Sequence, residues 1–450
     1  MPIQGIILRA RDFQEHPLRK IVVSLVQDPY FRGLLLLWTA LLVLVFGGRM
    51  YTTDVIAQYE VAGSLIGQRP FLTASGEYGW IVDGVRPGNF IPHSIGYSIL
   101  LIPAAFSGVV FGLDAGKIST AVLNGGFSLI LIGFMYAAAR TKYKDVSAAR
   151  LIVIAVGGMF LVYGRMPYDV TAAAAAVMAG FYFSCRDRTL IAGFCMGMAV
   201  LIRLDSLLLL PVFWNGWANT RKLIAGMAPF ILIAASANWY RFGSPFLDGH
   251  NQDPAMVLEP FRGGITGLLL SPGKGLLYYA PLCVFAFFFQ KDWRLWTPFV
   301  LSLALHGMLH DWSGGTGWGP RFLFTTLPFL LFPLVRKGTG GRLFWLIAAL
   351  GILVCIPACW SNVNMLEQAA GPDLFDESGR QAVLWDYSLF PLFTAFRNLG
   401  NGVPDMFGAT AAVSIGLSAW FGILLQSTIA LMLTGAGVFV MRKRTEVSEK

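Results

Sequence analysis

The sequence predicts an all-α polytopic membrane protein, and three observations carry that prediction. The chain of 450 residues is 56% hydrophobic and only 13% charged, with a mean hydropathy of +0.62, which excludes an ordinary soluble domain and a disordered chain. Apolar runs such as 33–46 and 343–360 are continuous. They therefore read as spanning helices, which need about 20 mostly apolar residues, and not as the alternating strands of a barrel. Fifty glycines and 23 prolines suit helices that pack closely, break and restart.

The elements follow in order. Residues 1–32 form a cytoplasmic or interfacial N-terminus. Arg9, Arg11, Asp12, Glu15, Arg19 and Lys20 interrupt any sustained apolar core, so this is not a cleavable export signal, and 18–31 suits a helix lying on the cytoplasmic face. The first span, 33–46, opens a transmembrane bundle over 33–360. With the basic N-terminus inside, it delivers the long polar loop 51–92 to the outer side. Further apolar runs lie near 95–112, 119–137, 151–163, 168–184, 189–202, 205–217, 223–240, 276–290, 295–310, 321–335, 343–360 and 410–440. Together they predict about 11 to 13 transmembrane helices. Runs of 12 or 13 residues are too short to cross a core of about 30 Å as straight helices and read as half-helices meeting inside the protein.

Charge orients the bundle. The formal net charge of +9 comes from short basic clusters between apolar runs, with no basic, aromatic-interleaved stripe, so no nucleic-acid partner is expected. Clusters at 140–144, 186–188, 221–222, 291–294, 336–342 and 442–444 face the cytoplasm. That places 163–168, 241–275, 310–321 and the loop 361–405 outside, with 406–450 as the last transmembrane helix and a basic cytoplasmic tail. The alternation fails once. Either 95–111 is a hairpin broken near Pro103, or the cluster at Arg140 departs from the rule. Cys185, Cys195, Cys283, Cys355 and Cys359 sit in or beside apolar runs and read as packing residues. There is no internal repeat.

External segments bearing ionisable and aromatic residues thus converge above an apolar bundle. In Tyr51-Thr-Thr-Asp54-Val-Ile-Ala-Gln-Tyr59-Glu60, a carboxylate stands just outside a span, where a lipid head group sits. If that lipid carries a sugar on phosphate, the protein must remove a proton from an acceptor hydroxyl and neutralise the departing charge. Asp54 suits the first task and Arg or Lys the second. By spacing alone, Asp54 equally suits the N-cap of a helix beginning at Val55.

The loop Asp after the first span, the following Tyr and Gly-Ser64-Leu65 step, and Pro92-His93-Ser-Ile-Gly96 leading to Leu-Leu-Ile-Pro103 resemble the GT-C glycosyltransferases. Within that class the pattern looks closest to bacterial relatives of dolichyl-phosphate-mannose protein mannosyltransferases and of lipid A aminoarabinose transferases. Gly164-Arg-Met-Pro-Tyr168-Asp169 and Gly193-x-x-x-Gly197 through Arg203-x-Asp205 agree, so the resemblance covers roughly residues 33–217. It implies a GT-C-like bundle, a polyprenyl-phosphate-linked sugar as donor, an extracytoplasmic acceptor that is a lipid, protein or polysaccharide, and a catalytic Asp mapping onto Asp54. It also implies a bacterial inner-membrane location with the site facing outward. Many relatives carry a second acid directly after that Asp. Here Val55 follows, so the second role falls to Glu60, Glu77 or Asp83, with Asp169 a further candidate for the acceptor. Metal dependence differs between branches of the class, and His93 and Asp169 are the candidate ligands of a divalent cation.

Two later segments complete the expected site. Gly273-Lys274-Gly275 before a helix offers backbone N–H groups and a cation to a phosphate, or is a cap and turn with a snorkelling lysine. Trp312 through Gly-rich sequence to Trp318-Gly-Pro-Arg321 offers indole faces to a sugar and a guanidinium to the donor phosphate, or is an aromatic belt around a turn. Arg321 is the first choice for that phosphate, assisted by Lys274 or Arg262. Arg203 and Asp205, between two short apolar runs, read as a structural ion pair, and His306 as a packing residue. The expected function is transfer of a sugar from a polyprenyl-phosphate donor. The alternative, a secondary transporter or lipid flippase, calls for ionisable residues at mid-membrane on repeated broken helices.

Overall fold

Asp28 starts the first long helix: its carboxylate accepts the Tyr30 N–H at 2.9 Å, and Pro29 occupies the first turn, where no N–H is needed. The computed structural model describes residues 23–77, 81–253, 256–259, 263–315, 317–362, 382–401 and 404–448. Of the N-terminal stretch 1–32, residues 23–32 fall among them, as a helical turn over 23–27 and the start of the first long helix. Arg262, and 363–381 and 402–403 of the expected loop 361–405, lie outside the described residues.

Helix α1 (Pro29–Val45) leads to α2 (Thr53–Leu65), α3 (Ile95–Leu100), α4 (Ile102–Phe111), α5 (Leu113–Lys142), α6 (Ala148–Gly157), α7 (Phe160–Arg165), α8 (Asp169–Cys185) and α9 (Thr189–Ile202). A 3-10 segment, Leu204–Phe213, precedes α10 (Trp217–Phe242). The remainder comprises α11 (Gly264–Leu270), α12 (Leu276–Tyr279), α13 (Pro281–Ala286), α14 (Trp293–His306), α15 (Leu327–Leu331) between 3-10 turns, α16 (Gly341–Trp360), α17 (Pro391–Asn401), α18 (Phe407–Ser414) and α19 (Ala419–Ser448). Among the described residues there is no strand, only isolated bridges.

This is an all-α, polytopic integral membrane architecture. Leu113–Lys142, Trp217–Phe242, Gly341–Trp360 and Ala419–Arg442 are long and apolar enough to cross a bilayer, and seven shorter apolar helices accompany them. The long helices expose large apolar side chains, including Leu232, Leu346, Leu424 and Leu431, as a lipid-facing surface does. Ala-rich α8 is buried along almost its whole length and packs on both α5 and α9.

Small residues set the closest approaches. A Cβ at Gly193 would fall on the Leu223 backbone and one at Gly226 on the Leu190 carbonyl, so α9 and α10 meet backbone to backbone. The last helix lies along the first in the same way, with Gly33 against Met441 and Gly437 against Leu37.

Three apolar runs differ from expectation. Segment 95–111 is divided at Leu101 into α3 and α4, and Gly112, at φ 94°, turns the chain back into α5, which packs against α4. Leu101 itself stays near-helical, at φ −85° and ψ −2°, and its carbonyl accepts the Ala105 N–H, so 95–111 is a kinked pair of helices with Pro103 in the first turn of the second. Run 151–163 is broken between α6 and α7, where Met159 adopts φ 71°. Run 410–440 is likewise two helices, α18 and α19, joined through Gly416 at φ 78°. The short run 205–217 became the 3-10 segment with Pro211 inside it, in keeping with a half-helix.

Candidate active site

The α2 N-terminus brings Asp54 to the site. Thr52 is the N-cap of that helix, its hydroxyl accepting the Val55 N–H at 3.3 Å, so the capping role that spacing allowed for Asp54 is already taken. The Asp54 carboxylate turns instead to Arg321, whose Nη1 donates to Oδ2 at 2.8 Å. His93 Nε2 stands 3.9 Å from the other oxygen. Arg321 follows Pro320 at the start of a 3-10 turn, and its guanidinium lies over the Tyr168 ring, 4.9 Å from the centroid.

Loop 163–168 and residue 93 are both fixed from beneath. Asn124, buried on α5, donates to the carbonyls of Tyr163, Gly164 and Met166 at 2.7, 3.0 and 2.9 Å. Arg241, buried at the end of α10, donates to the carbonyls of Ile91 and His93 at 3.1 and 3.0 Å. Arg165 faces away from Asp169. It pairs with Asp405 at 2.7 Å and donates to the Val45 and Ser361 carbonyls, tying α7 to α1 and to the end of α16.

Asp54, His93, Asp169, Arg203, Asp205, Asp248, His250, His306 and Arg321 line one cavity of about 470 Å³, together with six leucines. A second ion network crosses it. Arg203 holds Asp205 with two hydrogen bonds of 3.1 and 2.8 Å and reaches Asp169 at 3.0 Å. His306 Nε2 lies 3.3 Å from the Asp205 carboxylate, and the His306 ring stacks on Phe322. On the loop side, His250 Nδ1 sits 3.1 Å from Asp248, and the His93 and His250 rings meet edge to face with centroids 6.5 Å apart.

Burial pushes the Asp54 carboxyl up, but the Arg321 guanidinium, His93 and Arg203 together outweigh it and hold the group below the ordinary aspartate range. Burial moves His93 the other way: it lowers the imidazole below its usual value of 6.5, despite the attraction of Asp54 and Asp169. At neutral pH, therefore, Asp54 is ionised and Arg321 is its principal counter-charge.

Of the residues singled out in the sequence, Asp54, His93, Asp169 and Arg321 come together in this cavity. The others do not. Glu60 accepts from the N–H and hydroxyl of Ser75 at 2.8 and 2.7 Å and pairs with Arg69, which makes it the brace of its own loop. Glu77 is exposed, and Asp83 is exposed with its backbone bracketed by the Gln252 amide.

The phosphate cradle expected at 273–275 is corrected by its hydrogen bonds. The N–H groups of Gly273, Lys274 and Gly275 already donate to the Leu384 carbonyl, the Ser271 hydroxyl and the Ser271 carbonyl. Lys274 is buried and donates from Nζ to the Gly317 carbonyl at 2.6 Å. The sugar-stacking role of Trp312 and Trp318 is corrected in the same way. Both indoles are buried, Trp312 packed over Gly267 and Trp318 edge-on to Tyr279 at 5.0 Å, and neither lines the cavity.

Sequence reasoning gave Arg203 and Asp205 an internal pairing and His306 a packing role; the pairing exists, and all three also face the cavity. Asp248 and His250 were passed over, although Asp-Gly-His in a polar loop carries the signal. His93 and Asp169 do not fit a divalent cation, because Asp169 is engaged by Arg203. Among the described residues no group of three or more His, Cys, Asp or Glu side chains is arranged to hold a metal ion.

No family model and no curated protein matches the chain. Among solved structures, ArnT from Cupriavidus metallidurans bound to undecaprenyl phosphate is similar, with a TM-score of 0.50 and 13% identity over 90% of this chain and 75% of that one. The apo state of that protein aligns with a TM-score of 0.45 and 14% identity over 90% of this chain and 74% of the other. The likeness to the lipid-bound structure is one of fold, and extends over most of the length of both chains.

Proposed function

We propose that the protein is a membrane glycosyltransferase that moves a hexosyl or pentosyl group from a polyprenyl-phosphate donor to a hydroxyl of an extracytoplasmic lipid, protein or polysaccharide. The observation that carries this reading is the convergence of Asp54 and Arg321, 267 residues apart in sequence, on one cavity that six leucines also line. A proton acceptor beside a phosphate-binding guanidinium is the minimum that such a transfer requires. The neighbour of similar fold was captured with undecaprenyl phosphate, a lipid of the class proposed here for the donor's leaving group.

The step runs as a direct displacement. The acceptor oxygen bonds to the anomeric carbon as its proton passes to Asp54. The bond from that carbon to the phosphate oxygen breaks, its electron pair leaves on the phosphate, and Arg321 neutralises the charge that develops. Attack opposite the leaving group inverts the anomeric centre. Arg203, with Asp169, Asp205 and His306, forms the fixed wall against which the substrates align.

Charge supports an outward-facing site. Lys142, Lys291, Arg336 and Lys337 meet at a separate cavity. Lys142 ends α5, a helix of 30 residues whose first turns pack beside Tyr59 of α2. At about 1.5 Å per residue the basic cluster lies far from the Asp54 end, and the positive-inside rule puts it in the cytoplasm. In a bacterium that location is the inner membrane.

The test is comparison of lipid-linked sugars and envelope glycans in cells that express the chain, cells that lack it and cells that carry Asp54→Asn. The reading predicts a lipid-linked sugar that accumulates, and a glycan modification that disappears, in the last two. Identical profiles in all three would contradict it.

A further inference from the structure

We infer that Asp54 and the donor phosphate compete for Arg321, so that the guanidinium holds the base until a phosphate takes its place. The inference rests on the function proposed above and concerns the regulation of the same site.

Arg321 is the cavity cation with donors to spare. Arg203 is committed to two carboxylates, Asp169 and Asp205, with three hydrogen bonds of 2.8 to 3.1 Å. Arg321 makes one such bond, to Asp54, and its Nε is buried without a hydrogen-bond partner. A buried donor left unmade is costly, and a phosphate oxygen would satisfy it. The Tyr168 ring beneath the guanidinium keeps its plane in place, so an arriving phosphate meets a pre-oriented fork.

The Asp54 carboxylate is the movable partner. Its side chain is 30% exposed, against 12% for Arg321, and Thr52 rather than Asp54 caps the helix, so rotation of the carboxylate costs α2 nothing. His93 stands 3.9 Å from the second oxygen, on the far side from Arg321, and its backbone is pinned by Arg241. Nη1 carries two N–H groups, so donors do not run short; the competition is for charge. Once phosphate oxygens occupy Nε and an Nη group, one positive charge faces two anions, and like-charge repulsion drives the carboxylate off the guanidinium.

The consequence is chemical economy. A carboxylate on a guanidinium is a weak proton acceptor; released beside a phosphate, it regains the affinity that a base needs. The acceptor is therefore activated only when a sugar phosphate is in place.

The test titrates the purified full chain in detergent with undecaprenyl phosphate, reading bound lipid by native mass spectrometry. Asp54→Asn is expected to bind roughly tenfold tighter than the parent, equivalent to about 1.4 kcal/mol. Asp54→Glu, which keeps the competing charge, should bind no tighter, and Arg321→Gln should lose binding. On the parent protein, infrared difference spectra should show a carboxylate band shifting when the lipid is added, a signal absent in Asp54→Asn. Equal or weaker binding by Asp54→Asn, or an unchanged band while the lipid binds, would overturn the competition and leave the glycosyltransferase reading standing. Absence of saturable binding by every form, the parent included, would overturn both.

Discussion

Arg321 and Asp54, 267 residues apart in the chain, are joined by a hydrogen bond of 2.8 Å in the lining of a partly apolar cavity. One comes from a 3-10 turn after a Gly-rich loop and the other from the first turn of a helix that Thr52 caps. Their pairing turns two separate expectations, a base and a phosphate clamp, into one object with one geometry.

Arg203 is expected to be the structural keystone of the cavity. Its side chain and those of Asp169 and Asp205 are each no more than 15% exposed. Arg203→Ala leaves two carboxylates without their cation, and breaking a buried pair in this way costs about 3–5 kcal/mol. Thermal unfolding in detergent should show a clear drop in midpoint, while Arg203→Lys, which cannot form the two-point contact with Asp205, should fall between.

Lys274 is expected to act through the fold. Lys274→Met removes the cation that holds the Gly317 carbonyl, so the unfolding midpoint should fall by the equivalent of about 1–3 kcal/mol. Undecaprenyl phosphate binding by the folded fraction should stay at the parental level. A selective loss of binding at unchanged stability would restore its role at the phosphate.

His93 sets an acid limit. Its folded-state pKa is depressed, so its stabilising contribution is present above the ordinary histidine value and is lost as pH falls through the lower folded value. Asp54, Asp169, His250 and Arg321 are the charged and titratable groups that face it. The unfolding midpoint of the parent should decline as pH is lowered from about 7 to about 5. His93→Gln should flatten that decline.

Gly193 tests the helix contact that carries Arg203. A side chain there would strike the Leu223 backbone on α10. Gly193→Val should therefore separate α9 from α10 and lower the yield of folded protein in the membrane, whereas Gly435→Val, where a Cβ meets nothing, should not.

The all-α membrane architecture and most spans were legible because apolar periodicity and length are local properties. The run at 189–202 is α9 to the residue, and 343–360 lies within α16. The break at Met159 had a signal in Gly157-Gly158 just before it, as the break in 410–440 had one in Gly416; that the positive φ falls on a methionine was not legible, because packing imposes it.

At the site, charged residues in otherwise apolar surroundings announced Asp54, Asp169 and Arg321, since such groups must pair or face a cavity. Local sequence could not tell Trp312 and Trp318 as packing from the same residues as stacking platforms, nor Lys274 as a loop tie from Lys274 as an anion site. Those distinctions depend on Gly267, Tyr279 and Gly317, which only the tertiary fold brings against them.

The most direct measurement is single-turnover transfer from a labelled polyprenyl-phosphate sugar by purified protein, comparing the parent with Asp54→Asn at matched folded concentration. The account predicts transfer by the parent, with inversion at the anomeric carbon, and a loss of about 10²–10⁴-fold in the variant although it still binds undecaprenyl phosphate. Transfer by Asp54→Asn at the parental rate would contradict it.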